Sequence, residues 1–563
     1  MTMLKGIPQA AGTKSGVQTA FGGLNRNPGA RDGAIRDMEN MTSDQYPVLS
    51  SRPGRWLVRE HEPFGNFGFS FGEWGELIWT TGGDLYYGGE LKGHDSLLES
   101  NNQIVGMGNY VYFYPANVVY NIATEAIETV RSIVPVSVRF TDGTLNGEPA
   151  AANSIVAAGN YGAGFFETFF KPGDAIYIKN GPDANNGAHI IREISGTTLR
   201  FDENTFETTS TDVSVTIERK APPAFAFMCE CGNRLWGVSN EDNTIYACKL
   251  GDPFNWFVYD GLASDSYAVQ VGSKGGFTGC IAYLGKPMFF KEDHIYKMYG
   301  NKPSNFELQD HMTLGVMEGC GKSLAIAAET LFYNSRKGIM AYTGSAPRCV
   351  QDALGDNLAN DDHYEVTSIA AGSDGLKYYI CRSIRLHGDN VGTIYVYDAR
   401  RSMWNREDAN GNEVIVFATH GGRLYYMQDD GRIWCISDDE PDDALADEET
   451  KKQSKMQSFV EFADFYNYTS ASGTGTNRKY VTRLLMRMEC ESSITVKIMY
   501  DSSGIWRTAA TIPATAKTSR VCSVPINRCD HYRIRLESEG AWKLHSISED
   551  YVTGSGSNAT VTV

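Results

Sequence analysis

This chain of 563 residues has no cysteine before Cys229, only ten scattered histidines, and no long stretch with the i, i+3, i+4 spacing of an amphipathic helix. Nor is there a run of about eighteen apolar residues, and Met1–Lys14 lacks the apolar core of a signal peptide. These absences exclude a helical bundle, a membrane-spanning helix and a secreted disulfide scaffold. The eleven cysteines are odd in number, lack framework spacing and mostly fall inside apolar strand patterns, as at Cys248, Cys381, Cys435 and Cys490. They read as buried, reduced thiols in a chain made in a reducing cytoplasm. Cys229-Glu-Cys231 is C-x-C, not the C-x-x-C of redox or zinc sites. The sequons at Asn40, Asn467 and Asn558 then carry no meaning. Basic clusters are also missing. Fifty-one Lys and Arg stand against sixty-eight Asp and Glu, a net charge of −17, so nothing along the chain is built to grip phosphates.

What is present is a recurring phrase. A turn residue leads into an apolar, aromatic-rich strand, as in Gly75-Glu-Leu-Ile-Trp-Thr-Thr-Gly-Gly-Asp-Leu-Tyr-Tyr87, Gly108-Asn-Tyr-Val-Tyr-Phe-Tyr114, Gly232-Asn-Arg-Leu-Trp236, Gly285-Lys-Pro-Met-Phe-Phe290, Glu329-Thr-Leu-Phe-Tyr333, Gly375-Leu-Lys-Tyr-Tyr-Ile380 and Gly422-Arg-Leu-Tyr-Tyr426. A second strand usually follows, for example Asn243-Thr-Ile-Tyr246 and Gly392-Thr-Ile-Tyr395. Beyond Leu235 the repeat length is roughly 45 residues, one four-stranded propeller blade. The expected class is all-β: a propeller of about seven blades, six to eight being possible because the leader can complete one.

The period breaks in one place. Residues 1–60 form an irregular leader rich in Gly, Asn, Asp and Arg, and 61–130 carry the first blades. Residues 131–222 alternate polar and apolar between Gly, Asn and Asp turns, as in Lys171-Pro-Gly-Asp-Ala-Ile-Tyr-Ile-Lys179, and read as an inserted small β-barrel or sandwich. The blades resume over 223–437. Residues 438–456, with Asp438-Asp-Glu-Pro-Asp-Asp443, read as an acidic linker, with a calcium loop as the rival. Period-two strands such as Tyr480–Met488 and Tyr532–Leu536 make 457–563 a C-terminal β-sandwich. A short helix is expected only near Pro347–Asp361.

No constellation of catalytic residues emerges. Met312–Ser323 resembles a P-loop, but the first glycine of G-x-x-x-x-G-K-S falls at Val316 and the neighbours are antiparallel strands. Gly272–Gly279 is a glycine-rich turn in the same setting. Asp429-Asp-Gly431-Arg-Ile-Trp434 partly matches the aspartate box of sialidase-type propellers, a structural turn. A glycosidase needs opposed carboxylates, or a tyrosine nucleophile with acid and arginine partners, and no spacing gathers them. His294 and His363 lie beside acids without a second histidine. Tyr110–Tyr114 and Tyr425-Tyr426 fit blade packing better than ligand stacking. No catalytic, cofactor-binding or metal residue is therefore assigned, no cofactor is implied, and the chain is read as not an enzyme.

The leader's Phe21-Gly-Gly-Leu-Asn-Arg-Asn-Pro28 and Asp37-Met-Glu-Asn-Met-Thr-Ser-Asp-Gln-Tyr-Pro-Val-Leu-Ser-Ser-Arg-Pro-Gly54 resemble the opening of tail-hub or nozzle propellers of short-tailed bacteriophages. The stretches Arg478–Met488, Tyr500-Asp-Ser-Ser-Gly-Ile-Trp506 and Arg528-Cys-Asp-His-Tyr-Arg-Ile-Arg-Leu536 are similar to the terminal sandwich of that packaged-DNA stabilisation and tail-tube group. The order of parts matches over nearly the whole chain, and members of the group differ in the insertion. The resemblance implies a structural virion protein of the phage tail. It would form a homo-oligomeric, six-fold ring (a homohexamer) around the DNA channel in the head–tail connector complex, below the portal and adaptor. It would carry fibres or a needle, and let genomic DNA pass during ejection without binding it specifically. Assembly would take place in the host cytoplasm. An acidic chain suits such a conduit, because each basic wall residue would hold phosphate. Two other readings stay open: a carbohydrate-binding or carbohydrate-degrading propeller like a tail spike, and a host-derived propeller that scaffolds other proteins.

Overall fold

The computed structural model describes residues 13–27, 34–60, 70–100, 102–142, 144–145, 148–149, 153–202, 206–355, 366–441, 452–453, 456–466, 479–524 and 527–553. The chain is all-β. Among the described residues the helical pieces are single 3-10 turns of three or four residues. One of them, Asp352–Leu354, falls within the helix expected near 347–361, of which only 347–355 lie among the described residues. Two compact units emerge, Phe64–Leu324, and Met1–Pro63 with Ala325–Val563.

The first unit holds four four-stranded antiparallel sheets, the first four propeller blades. They begin at Ser70, Gln103, Phe227 and Gly279 and end at His94, Thr129, Gln270 and Met312. In the second, third and fourth blades the leading phrase of the repeat is a two-residue hairpin feeding a buried strand; in the first, Gly75 alone separates Trp74 from its partner Glu76. Val111, Tyr112 and Phe113 are fully covered, as are Leu235 and Phe289. Side chains alternate across each strand, so one face of a blade packs on the blade before it and the other on the blade after. Trp236, Val238, Phe277, Phe289 and Tyr296 form one such layer.

The insertion is a closed six-stranded barrel formed by Ser132–Thr141, Ser154–Ala157, Ala175–Lys179, Gly187–Ser195, Thr198–Phe201 and Val213–Arg219. Its interior holds Val136, Phe140, Phe166, Ile178, Ile191 and Ile217. A buried polar node ties it to the third blade. Arg219 Nη1 donates to Asp174 Oδ2 at 2.8 Å, and Asn255 Nδ2 donates to Asp174 Oδ1 at 2.8 Å. The Arg219 guanidinium also lies 5.0 Å over the Phe254 ring. With Asp174 and Arg219 both buried, each charge depends on the other for its solvation.

The second unit holds blades five, six and seven and the sandwich. Blade five runs from Ala325 to Cys349 and blade six from Val366 to Gly411. Blade seven takes three strands from Val414–His420, Arg423–Gln428 and Ile433–Ile436, and its fourth, Trp56–Arg59, from the leader. One sheet of the sandwich orders Met41–Thr42, Leu49–Ser51, Trp542–Thr553, Lys479–Cys490 and Thr515–Cys522, with Thr13–Gln18 added on Trp542–Thr553. The other orders Ile35–Glu39, Gln457–Phe462, His531–Glu539, Ile494–Tyr500 and Arg507–Ile512.

The leader is therefore not irregular, and the sandwich is not confined to 457–563. Five leader strands of two to six residues are woven into the sandwich and the last blade. Their partners lie far along the sequence: Met38 pairs with Val460, and Leu49 with Leu544. Strands so short, polar on their outward positions, become strands only when those partners supply the ladder. Much of the acidic stretch 438–456 lies outside the described residues, and the linker and calcium readings lie there with it.

Candidate functional site

The leader around Asn40 to Arg55 forms a buried polar joint in the second unit. Asn40 sits at φ 57°, a left-handed conformation that asparagine tolerates. Its side chain makes three hydrogen bonds: Nδ2 donates to Gln457 O at 2.8 Å, while Oδ1 accepts from Arg52 Nε at 2.9 Å and from Asp408 N at 3.1 Å. That one residue links the sandwich, the Arg52-Pro-Gly54 turn and the edge of blade six. It is only 5% exposed, so its sequon is closed to modification. Next along the chain, Ser43 Oγ donates to the buried Asp398 at 2.8 Å and Asp44 pairs with Lys377 Nζ at 2.6 Å.

Two buried arginines complete the joint. Arg52 Nη2 donates to Asp408 Oδ1 at 2.6 Å. Arg55 Nη2 donates to Glu407 Oε2 at 2.7 Å, and its Nη1 bonds both Asp408 and the Tyr426 hydroxyl of blade seven. Burial alone would raise the Asp408 carboxyl, but the charges of Arg55 and Arg52 outweigh it and hold it below the usual carboxylate range. Burial pushes the Tyr426 hydroxyl up. Beside the joint lies a cavity of about 280 Å³ reached by Asp44, Arg52, Arg55, Lys377 and Glu407. Of the acids in its lining, Asp44 is paired with Lys377 and Glu407 with Arg55, Asp374 accepts from the Leu376 and Lys377 N–H groups and from the Tyr379 hydroxyl, and Asp438 lies at its border. Its chemistry is that of a clasp.

A larger groove, about 850 Å³, crosses the outer face of the second sandwich sheet, lined by Glu39, Gln457, Phe459, Arg535, Glu537 and Glu539 among others. Burial raises the Glu39 carboxyl, and Arg406, 4.0 Å away, only partly offsets it. Glu537 meets Arg535 and Lys497, each at 2.7 Å. Phe459 is the one aromatic ring in the lining, and Arg535 covers a face of it at 4.0 Å, which weakens it as a platform for a sugar. The groove is polar and net acidic.

The remaining sequence motifs resolve into turns and packing. Gly315 donates its N–H to Glu292 O at 3.0 Å, and a side chain there would collide with the Lys291 carbonyl. Gly321–Ser323 is a single 3-10 turn, so the P-loop likeness has no helix behind it. In the aspartate-box fragment, Gly431 N bonds Gln428 O and Asp430 Oδ1 accepts from Arg432 N at 3.0 Å, the geometry of a turn. Burial, together with Asp430 and Glu413, pushes the Asp429 carboxyl up. His294 makes a turn contact to Asp293 O at 3.2 Å; His363 lies outside the described residues. All eleven cysteines are free and nine are buried, and burial pushes the Cys231 thiol up to about 11, far from a reactive thiolate.

Two features escape the reading of the sequence. Gly68-Phe-Ser-Phe-Gly72 spells a G-x-S-x-G elbow, but Ser70 opens an antiparallel blade strand opposite Thr80, not a strand-to-helix turn. Asp501, Asp530 and His531 bring ligand atoms within 4.8 Å of one another. Their own hydrogen bonds account for this: Asp501 Oδ1 accepts from Asp530 N at 2.9 Å, and His531 Nε2 meets Ser502 Oγ at 2.7 Å. No helix among the described residues is long and apolar enough to cross a membrane.

No family model and no curated protein matches the chain. Solved structures share its β architecture distantly. BamB from Moraxella catarrhalis aligns at 11% identity and a TM-score of 0.31, over 65% of this chain and 95% of that one. Saccharomyces cerevisiae Sqt1 aligns at 11% identity and 0.31, over 69% and 97%. A carbohydrate-binding module of family 29 aligns at 12% identity and 0.13, over 25% and 80%.

Proposed function

We propose that this chain is a structural, non-enzymatic component of a phage tail, a nozzle or hub that assembles as a homo-oligomeric ring around the DNA channel and docks neighbouring tail parts. One observation carries the reading. The leader motif that resembles nozzle proteins is not a free tail: its strands pair into both sandwich sheets, Asn40 and Arg52 bond Asp408 of blade six, and the strand just after it, Trp56–Arg59, completes blade seven. Investing that text in a buried joint suits a part that must hold its shape under load rather than turn over substrate. The motifs that suggested chemistry are occupied in turns, which favours the same reading over the tail-spike alternative.

The test is electron microscopy of the purified chain, followed by gold-labelled antibody to it on intact particles. Uniform rings and label at the tail are the expected results. A protein that stays monomeric, is absent from particles and cleaves surface polysaccharide would transfer the assignment to the glycan-acting propeller.

A further inference from the structure

A basic face exists that no stretch of sequence displays. On the first sandwich sheet, Lys479–Cys490 lies between Trp542–Thr553 and Thr515–Cys522. Arg487 stands opposite Ser519 on one neighbour and Ser546 on the other, and Glu489 opposite Lys543. Lys517 and Arg487 are exposed and have no ion-pair partner among the described residues. Both act on His545: burial lowers its basicity, and their two charges lower it further against the pull of Glu489. Lys543 stands 3.5 Å from Glu489, the one acid of this cluster. Beside it, Leu485 pairs with Val521, an apolar residue left 58% exposed. The strand Thr515–Cys522 is the end of its sheet's path, and among the described residues no strand pairs with its other edge. An apolar pair, a basic surround and an open edge are the makings of an interface.

The rest of the chain says what fits it. At a net charge of −17 the surface of a second copy is mostly acidic. The outer face of the opposite sandwich sheet carries the groove of Glu39, Glu537 and Glu539, with Arg535 as the cation in its lining. We propose that the basic face around Arg487 and Lys517 docks onto the acidic groove of a neighbouring copy, head to tail. Faces on the two sides of one sandwich give a heterologous contact, which closes into a ring or runs on as a filament. This deepens the ring reading above and rests on it.

Sedimentation velocity on the full chain tests it with two paired variants at exposed positions, Arg487→Glu with Lys517→Glu, and Gln457→Lys with Glu539→Lys. Each pair alone should weaken self-association about tenfold or more, most strongly at low salt. An equimolar mixture of the two variants should recover it, because the reversed charges again oppose each other. Wild-type-like association of either variant, or a mixture that fails to recover, overturns the assignment of these faces while leaving the ring reading standing. A wild-type chain that never associates removes both. Monomeric protein that binds heparin through Arg487 and Lys517 overturns the second copy in favour of a polyanion.

Discussion

The inserted barrel and the C-terminal sandwich are small β domains built from opposite kinds of chain. The barrel is one contiguous segment, Ser132 to Arg219, and its ties to the blades gather around Asp174: Arg219 and Asn255 bond that carboxylate, Ala175 N–H donates to Asn255, Lys249 donates to Gly173 O and Lys171 pairs with Glu128. The sandwich is assembled from both ends of the sequence, with leader strands in each sheet and a many-membered joint to blades six and seven. A domain closed on itself can be inserted without altering its host. One woven from both termini makes the integrity of the last blades depend on the leader, so the same mutation type should act locally in one region and across the whole unit in the other.

The sharpest way to break that contrast is Arg55→Met. It removes the nearer of the two cations on Glu407 and one of the two on Asp408, leaving Arg52 at 3.8 Å and 2.6 Å, and should cost about 3 kcal/mol. Calorimetry should show the unit containing blades five to seven and the sandwich melting earlier, with the Phe64–Leu324 unit unmoved. A uniform shift of both would mean that the two units unfold together. The counterpart in the barrel is Asp174→Asn, which keeps the acceptor for Asn255 but removes the charge facing Arg219. A loss of about 2–3 kcal/mol is expected, confined to the Phe64–Leu324 unit.

Acid should sharpen the comparison further. Asp44, Asp398 and Asp408 all titrate below the ordinary carboxylate value because lysine or arginine beside them, or hydrogen bonds to them, outweigh their burial. A folded value below the unfolded one contributes stability that is complete above about pH 4 and is lost as pH falls through the folded values. Glu39, Glu461 and Asp429 run the other way and gain by protonation, so they do not protect the joint. Amide exchange should show the N–H groups of Asp408 and Gln453 losing protection below about pH 4, before the barrel ladder does. Equal loss in both regions would show that the joint is not the acid-sensitive element.

What could be read from the sequence follows the same division. The repeated turn–strand phrases were visible because their pairing is local: Tyr283 and Lys286 meet across two residues. The barrel was visible because all its strands lie between the same two blades. The leader strands were not, since Ile35–Glu39 and Leu49–Ser51 are polar at most of their positions and find partners more than four hundred residues away. The basic face was hidden for a related reason. Arg487, Lys517 and Lys543 sit on three different strands, each beside neutral residues, and only pairing gathers them. The P-loop likeness could be set aside from the sequence, because it requires a helix that the period of this chain denies, whereas the Gly68–Gly72 elbow pattern went unread until its strand pairing was seen.

The smallest expected effect concerns a turn in blade four. Leu284 occupies a left-handed conformation at φ 51°, followed by Gly285 at φ 68°, and its side chain is 67% exposed. These are the two central residues of a type I′ hairpin, where Asn-Gly is the favoured pair. A leucine there pays the left-handed penalty of about 1–2 kcal/mol and gains nothing from burial within the monomer. Leu284→Asn should therefore stabilise the Phe64–Leu324 unit by about 1 kcal/mol, a rise in Tm of about 2 °C. If thermal melting of the monomer shows that gain but the assembled protein melts lower than wild type, Leu284 is held in its strained conformation for a contact made between copies. If the monomer itself is destabilised, the exposed leucine has a partner within the chain and the turn, unlike the woven sandwich, is not understood from its local geometry.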